Sequence, residues 1–317
     1  MRIGIMIGPD RGRYREKVPR MVAGAVAAEA AGFDSVWVPQ IPSDFDALTA
    51  ITLMGQVTER VELGTAVLPI QTRHPVAMAQ QALSTQVVCD GRLTLGLGPS
   101  HHWIVEDMLG LSYEKPFRQV RDYLEVLDVA LAGPGPVDVE NDTWRIHNPL
   151  DVTDLPPTPV LLAALAPLML ELAGERAQGT ILWMADPRAV GDHVVPRITA
   201  AAEAAGRPAP RIVAGVPVAL CRDDEVDAVR AFANEVLGHA EYSPNYQRLL
   251  EQGDARDVGD MLAAGDEATI RTALARFRDA GATDLSIRVV PWGADGTARF
   301  ASRQRTEAFC ASLAGTW

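Results

Sequence analysis

The segment ERVELGTAVLPIQTRHPVAMAQQALSTQVVCDGRLTLGLGPSH, residues 59–101, decides the fold class. It opens with an apolar run at 61–68, turns through Thr72-Arg73-His74, and enters a helix at 75–89. Pro75 stands in the first turn of that helix, where a missing N–H costs least. A second apolar run follows at 93–97. Neither run alternates with polar residues, which is how parallel strands covered on both faces read.

The same unit repeats in both directions. Further strands are predicted at 2–7, 35–38, 160–164, 180–183, 212–220 and 284–290. Helices are predicted at 18–31, 47–58, 117–132, 167–177, 187–205, 225–237, 267–280 and 297–313. AAGFDSVWV (30–38), GERAQGTILW (174–183) and DAGATDLSIRVV (279–290) each close a helix with small residues and open a buried strand. Eight strands with intervening helices in 317 residues predict an α/β fold, a (β/α)8 TIM barrel, for which about 250 residues plus insertions is usual. A doubly wound open sheet is the competitor, and the lack of a mid-chain linker favours one barrel domain over 1–317. Two irregular stretches, 133–159 and 238–265, read as insertions after strands four and seven, the first with a small hairpin around 143–146. Both are expected to wall the active end of the barrel, where their aromatics Trp144, Tyr242 and Tyr246 suggest an apolar organic substrate.

Composition excludes several classes. The formal net charge is -12, from 29 Lys+Arg against 41 Asp+Glu, which argues against a nucleic-acid face and an anionic membrane surface. The three cysteines, Cys89, Cys221 and Cys310, lie far apart without metal-ligand spacing, so neither a disulfide framework nor a metal site is expected. No signal peptide or apolar stretch of roughly 18 residues is present, and the reading is cytoplasmic. Gly96-Leu97-Gly98 follows a strand, but the third glycine of a dinucleotide motif falls on His101, so that motif fails.

A barrel keeps its chemistry at the carboxyl ends of its strands. Those positions hold Gln40, Leu68 to Thr72, Gly98 to His102, Leu165 to Leu168, and Trp183 to Asp186. His101 and His102 are the most chemically suggestive, since histidine exchanges protons near neutral pH. Arg73 and His74 read as structural or capping residues.

RIGIMI (2–7), AAEAAGFDSVWVPQ (27–40), the 59–101 block, AALAPLMLELAGERAQGTILWM (163–184) and GDEATIRTALARFRDAGATDLSI (265–287) together resemble the bacterial luciferase-like flavin and deazaflavin oxidoreductases. TRHP and the LTLGLG run look most like members that use coenzyme F420, an 8-hydroxy-5-deazaflavin. The resemblance implies an F420-dependent oxidoreductase that passes a hydride between the deazaflavin and a small organic substrate. It also implies a non-prolyl cis peptide at Ala66-Val67, at the end of strand three. Carried over residue by residue, the cofactor ring lies over Ala66 and Val67, with Gln40, Gly98, Ser100 and His101 at its edge or side chain. Backbone amides around Leu165 and Ala166 hold a phosphate, and Trp183 lines the pocket. His101 or His102 supplies or accepts the accompanying proton. Sugar-phosphate dehydrogenases of this kind place Asp-His after strand two; Gln40-Ile41 stands there instead, so that base is missing.

The basic loop 10–17, with Arg11, Arg13, Arg15 and Lys17, is expected either to steer an anionic coenzyme or simply to be solvated. Two alternatives stay open: an FMN-dependent two-component monooxygenase fed by a separate reductase, and a non-catalytic flavin- or deazaflavin-binding protein. A homodimer through barrel helices is the assembly common among similar proteins.

Overall fold

The computed structural model describes residues 1–8, 13–133, 135–150, 152, 157–238 and 243–317. In chain order its elements are β1 (Arg2–Met6), α1 (Lys17–Ala31), β2 (Ser35–Val38), α2 (Ala47–Gly55), β3 (Glu62–Thr65), β4 (Leu68–Pro69), α3 (Pro75–Val88), β5 (Leu93–Gly98) and α4 (Pro116–Ala130). There follow β6 (Val137–Glu140), β7 (Arg145–Asn148), β8 (Val160–Leu162), α5 (Pro167–Arg176), β9 (Gly179–Leu182), α6 (Val195–Ala204) and β10 (Arg211–Leu220). The chain ends with α7 (Val226–Leu237), α8 (Pro244–Leu250), α9 (Val258–Met261), β11 (Ala263–Gly265), α10 (Glu267–Asp279), β12 (Asp284–Val289) and α11 (Gly296–Ala311).

Eight of these strands close a parallel barrel in the order β1, β2, β3, β5, β8, β9, β10, β12, with β12 returning to β1. This is the (β/α)8 barrel expected, and each of the eight predicted strands is one of its staves. β11 is a short addition pairing with the end of β10.

Side chains alternate between two cores. Ile3, Ile5, Val36, Leu63, Leu93, Leu95, Leu285 and Ile287 face the helices and belong to the large outer cluster. Inside the barrel, Trp37, Leu161, Ile181 and Val213 form a separate buried cluster with Ala66 and Val67. Trp37 fits there because its neighbours are glycines: a Cβ on Gly64 would lie 2.3 Å from its ring, and one on Gly4 would lie 2.1 Å from Ser35 Oγ.

Below Trp37 the amino ends of four strands close the barrel with charge. Arg211 reaches Glu62 at 2.7 Å and Asp284 at 2.5 Å, Arg2 reaches Glu62 at 2.5 Å, and the Arg211 guanidinium lies 5.5 Å from the Trp37 ring centroid. Burial alone would raise the Glu62 pKa, but hydrogen bonds and charge from Arg211, helped by Arg2, hold it below the ordinary carboxylate value.

The two insertions take different courses. The first departs from expectation and begins after α4, at the amino end of the barrel, whereas the second follows α7, whose last residues Val236 and Leu237 stand at the barrel mouth. In 133–159, β6 and β7 form an antiparallel hairpin around the expected turn, but it climbs the outside of α4. Asn141 donates to the Asp122 carbonyl at 3.0 Å, and Trp144 packs edge-on to His74 and Tyr123. The described part of this stretch therefore braces the outer layer, and none of its described residues lines the barrel mouth. The second insertion, 238–265, carries α8, α9 and β11 and does reach the mouth. Asp186, after β9, fastens it by accepting from the Asp254 and Ala255 amides. Among the described residues no helix is long and apolar enough to cross a membrane.

Candidate active site

A cavity of about 750 Å³ opens at the carboxyl ends of the barrel strands. Its back wall is made where strand three breaks. β3 pairs Leu63 with Leu93 and β4 pairs Leu68 with Leu97, so strand three carries one residue more than β5 across this interval. The extra residue is accommodated by a bulge containing a cis peptide at Ala66-Val67, the position the sequence resemblance implies. Thr65 repairs the broken ladder: its Oγ1 accepts from Gly96 N and donates to Gly96 O, both at 2.8 Å.

Of the residues expected at the cofactor, Gln40, Ala66, Val67, Ser100, His101, Leu165, Ala166 and Trp183 all line this cavity. Gln40 has a structural duty as well, since its Oε1 accepts from Ala47 N at 2.9 Å and helps start α2. Ser100 adopts a left-handed φ of 60°, and its carbonyl accepts from the Tyr113 hydroxyl at 3.1 Å. Gly98 is not part of the lining. It lies behind the wall, where a Cβ would come within 2.9 Å of Ala163 and 3.2 Å of Val67. Its role is close packing of β5.

The two histidines separate. His101 lines the cavity, its ring stacked on Trp103 at 5.8 Å and tilted against Tyr246 at 5.4 Å. Burial disfavours its imidazolium, and neighbouring His102 adds to the effect, so its pKa lies below the ordinary histidine value. His102 is exposed, sits 6.4 Å from Tyr113 and does not line the cavity. Of the two, His101 alone stands at the cavity.

Leu165 and Ala166 precede α5. Ala166 is its N-cap in an extended conformation with no side-chain cap, whereas α2, α10 and α11 are capped by Asp46, Asp266 and Asp295. His193 Nε2 bonds the Leu165 carbonyl at 2.8 Å and fixes this turn.

Several lining residues were not singled out by sequence. Arg73 is one: His74 does cap α3, with Val76 N donating to its Nδ1 at 3.2 Å, but Arg73 faces the cavity and pairs with Asp46. Ser286 and Arg288 enter from β12, and Ser243 and Asn245 from the start of α8, beside Tyr246, which was expected at this end. β12 did carry a signal, because Leu285-Ser286-Ile287-Arg288-Val289 alternates apolar and polar residues whereas the other strands are nearly all apolar. No Asp or Glu stands among the described lining residues. In the basic loop, Lys17 is tied to Asp44 at 2.5 Å, while Arg13 and Arg15 are exposed. Asp10, Arg11 and Tyr242 lie outside the described residues.

The profile of the luciferase-like monooxygenase family matches residues 1–284. Over 246 residues the chain is 26% identical to a 5,10-methylenetetrahydromethanopterin reductase of Methanolobus tindarius, covering 76% of this chain and 74% of that protein. A solved F420-dependent secondary alcohol dehydrogenase, in complex with an F420-acetone adduct, has a TM-score of 0.76 at 19% identity over 96% of this chain and 97% of that one. The oxygenating constituent of 3,6-diketocamphane monooxygenase of Pseudomonas putida, in complex with FMN, has a TM-score of 0.77 at 17% identity, covering 100% and 98%. At these identities the two structures speak for the fold.

Proposed function

Because the chain belongs to the luciferase-like monooxygenase family and is an oxidoreductase, we propose that it binds coenzyme F420 in this cavity and transfers a hydride between it and a small organic substrate. The observation that carries this reading is the Ala66-Val67 bulge with some 750 Å³ of cavity in front of it. The residues fit such a group. The bulge gives a flat, small-side-chain wall, the uncapped start of α5 favours an anion, and no carboxylate among the described lining residues opposes a phosphate. Ala66 and Val67 would back the ring, and the Leu165-Ala166 turn would take the phosphate. When bound, coenzyme F420 supplies a ring carbon that gives or takes a hydride.

The protein's own contribution is mainly orientation and exclusion of water. Val67 and Ala66 close one side, Trp183 and Tyr246 present apolar surface, and the opposite side stays open. His101 is held neutral by its burial, so a ring nitrogen can accept a proton near pH 7 and return it later. Sequence similarity to a methylenetetrahydromethanopterin reductase supports this direction of reading.

The test is fluorescence titration of the protein with F420 and with FMN, each oxidised and reduced. Tight binding of F420 and weak binding of FMN is expected. The reverse order would replace this reading with a two-component flavin monooxygenase, and binding without turnover of any substrate would reduce it to a binding protein. Once a turnover assay exists, His101→Ala should lower kcat at least tenfold while His102→Ala stays within twofold of wild type.

A further inference from the structure

We infer that Ser286 of β12, at the floor of the cavity, seats the oxygen of a neutral carbonyl compound or of its alcohol, so that the substrate is an uncharged, oxygen-bearing molecule and not a carboxylic acid. The inference deepens the proposed function, since it takes the cavity as a substrate chamber with a redox cofactor against the Ala66-Val67 bulge.

Ser286 has 0% of its surface exposed, lines the cavity, and its Oγ has no hydrogen-bond partner. Buried hydroxyls are nearly always partnered, and one left alone is costly. The register shows why the protein supplies no partner. Ser286 stands between Gly4 of β1 and Gly215 of β10. A Cβ on Gly4 would meet Ser35 Oγ at 2.1 Å, and one on Gly215 would meet the Trp183 ring at 2.7 Å, so neither neighbour can offer a polar side chain. Across Gly4, Ser35 holds the matching position on β2, and its hydroxyl is satisfied by Trp37 Nε1, which donates to it at 2.9 Å. Of these two serines only Ser286 is left with the cavity in front of it.

The same register sets the depth. Gly4, level with Ser286, lies two residues below Met6, which also lines the cavity. Around this floor the surfaces are apolar: Trp183 covers Gly215, and Ala66 and Val67 pack on the inner cluster of Trp37 and Ile181. A charge has no answer here. No Asp or Glu stands among the described lining residues, Arg73 is paired with Asp46, and Arg288 is engaged by other groups of the protein. An ionised end brought to this depth would give up its hydration without a free counter-charge. A carbonyl oxygen instead accepts from the Ser286 hydroxyl, and an alcohol can donate to it as well.

The seat belongs to substrate and not to cofactor on grounds of placement. Two strands, β1 and β2, separate β12 from the bulge on β3, and two others, β9 and β10, separate it from β8 and the phosphate seat at α5.

Calorimetry on the full chain, with and without saturating coenzyme F420, tests this with acetophenone and 2-acetylnaphthalene. Each ketone is compared with its isopropenyl isostere, in which CH2 replaces the carbonyl oxygen, and with benzoate or 2-naphthoate. Wild type should bind at least one ketone about tenfold or more tightly than both its isostere and its acid. Ser286→Ala should bring ketone and isostere within about threefold of each other, with F420 affinity within about twofold of wild type. Because it deletes an unpartnered hydroxyl, its ligand-free melting temperature should fall by less than about 3 °C, if at all. A smaller preference in wild type, no binding of either ketone, an acid bound as tightly as its ketone, or a preference intact in Ser286→Ala overturns the proposal. A larger fall in melting temperature, or failure of the variant to fold, also overturns it, because the hydroxyl then serves the fold. So does loss of F420 affinity in Ser286→Ala, because the hydroxyl then serves the cofactor. A wild type that binds no F420 but prefers the ketones refutes the cofactor reading and leaves the carbonyl seat standing.

Discussion

Replacing Asp186 by alanine should unfasten the second insertion from the barrel and loosen the cavity it roofs. Asp186 Oδ1 accepts from Ala189 N at 2.8 Å, and Oδ2 accepts from Asp254 N at 2.5 Å and Ala255 N at 2.8 Å. Its residue is 7% exposed. Alanine strands three donors. The Asp254 amide is only partly buried and can turn to water, which leaves two buried donors at about 1–3 kcal/mol each, or about 2–6 kcal/mol together. Asparagine should be milder. With its oxygen at the Oδ2 position it keeps two of the three bonds and misplaces one donor, for about 1–3 kcal/mol. Urea unfolding reads the stability. Cofactor titration reads the site, where Asn245 and Tyr246 depend on the same insertion. A loss below about 1 kcal/mol for Asp186→Ala, with ligand affinity unchanged, would refute the idea that this carboxylate holds the roof. Equal losses for both variants would refute the bond-by-bond accounting.

Gly64→Ala places a Cβ 2.3 Å from the Trp37 ring, and should lower the melting temperature by a loss of about 1–3 kcal/mol or prevent folding; thermal unfolding checks it. Arg211→Met removes the cation between Glu62 and Asp284 and should cost about 3–5 kcal/mol. Arg2→Met should cost much less, because Arg2 is 42% exposed at its side chain and Arg211 remains; parallel urea curves compare them. His101 gives a pH signature. Its folded pKa lies below the unfolded value near 6.5, so above that value both states are neutral and the residue is silent. As pH falls below 6.5 the unfolded state takes the proton first and the fold loses stability, down to the folded pKa. Melting temperatures from pH 8 to 5 should therefore drop more steeply for wild type than for His101→Asn, and parallel curves would contradict the burial argument.

The barrel was legible because parallel strands buried on both faces leave uninterrupted apolar runs, and β5 and β10 are plain in LTLGLG and RIVAGVPVAL. The break in strand three was not legible from those runs. Residues 61–68 read as one strand, and only the likeness to other sequences located the bulge at Ala66-Val67. Hydrophobicity alone also misassigned 133–159, since Trp144 signals burial without saying against what, and it buries against His74 and Tyr123. His101 and His102 are adjacent in sequence, yet one faces the cavity and the other solvent, a distinction set by how the chain leaves β5 at Ser100. Arg73 was read by its place before a helix, which is correct for its neighbour His74; its partner Asp46, 27 residues away, was invisible to local spacing.

The lack of Asp and Glu among the described lining residues also bears on how a charged molecule arrives. At a distance an anion meets a chain of net charge -12; within the mouth it meets a lining that holds no Asp or Glu among the described residues. The far field is screened over about 8 Å at physiological ionic strength, and the enclosed contacts are screened much less. Added salt should therefore quicken the capture of an anionic ligand, the opposite of the slowing seen where charge guides the encounter. Stopped-flow association rates measured against ionic strength would carry that signature, and would separate the approach to the barrel from the grip inside it.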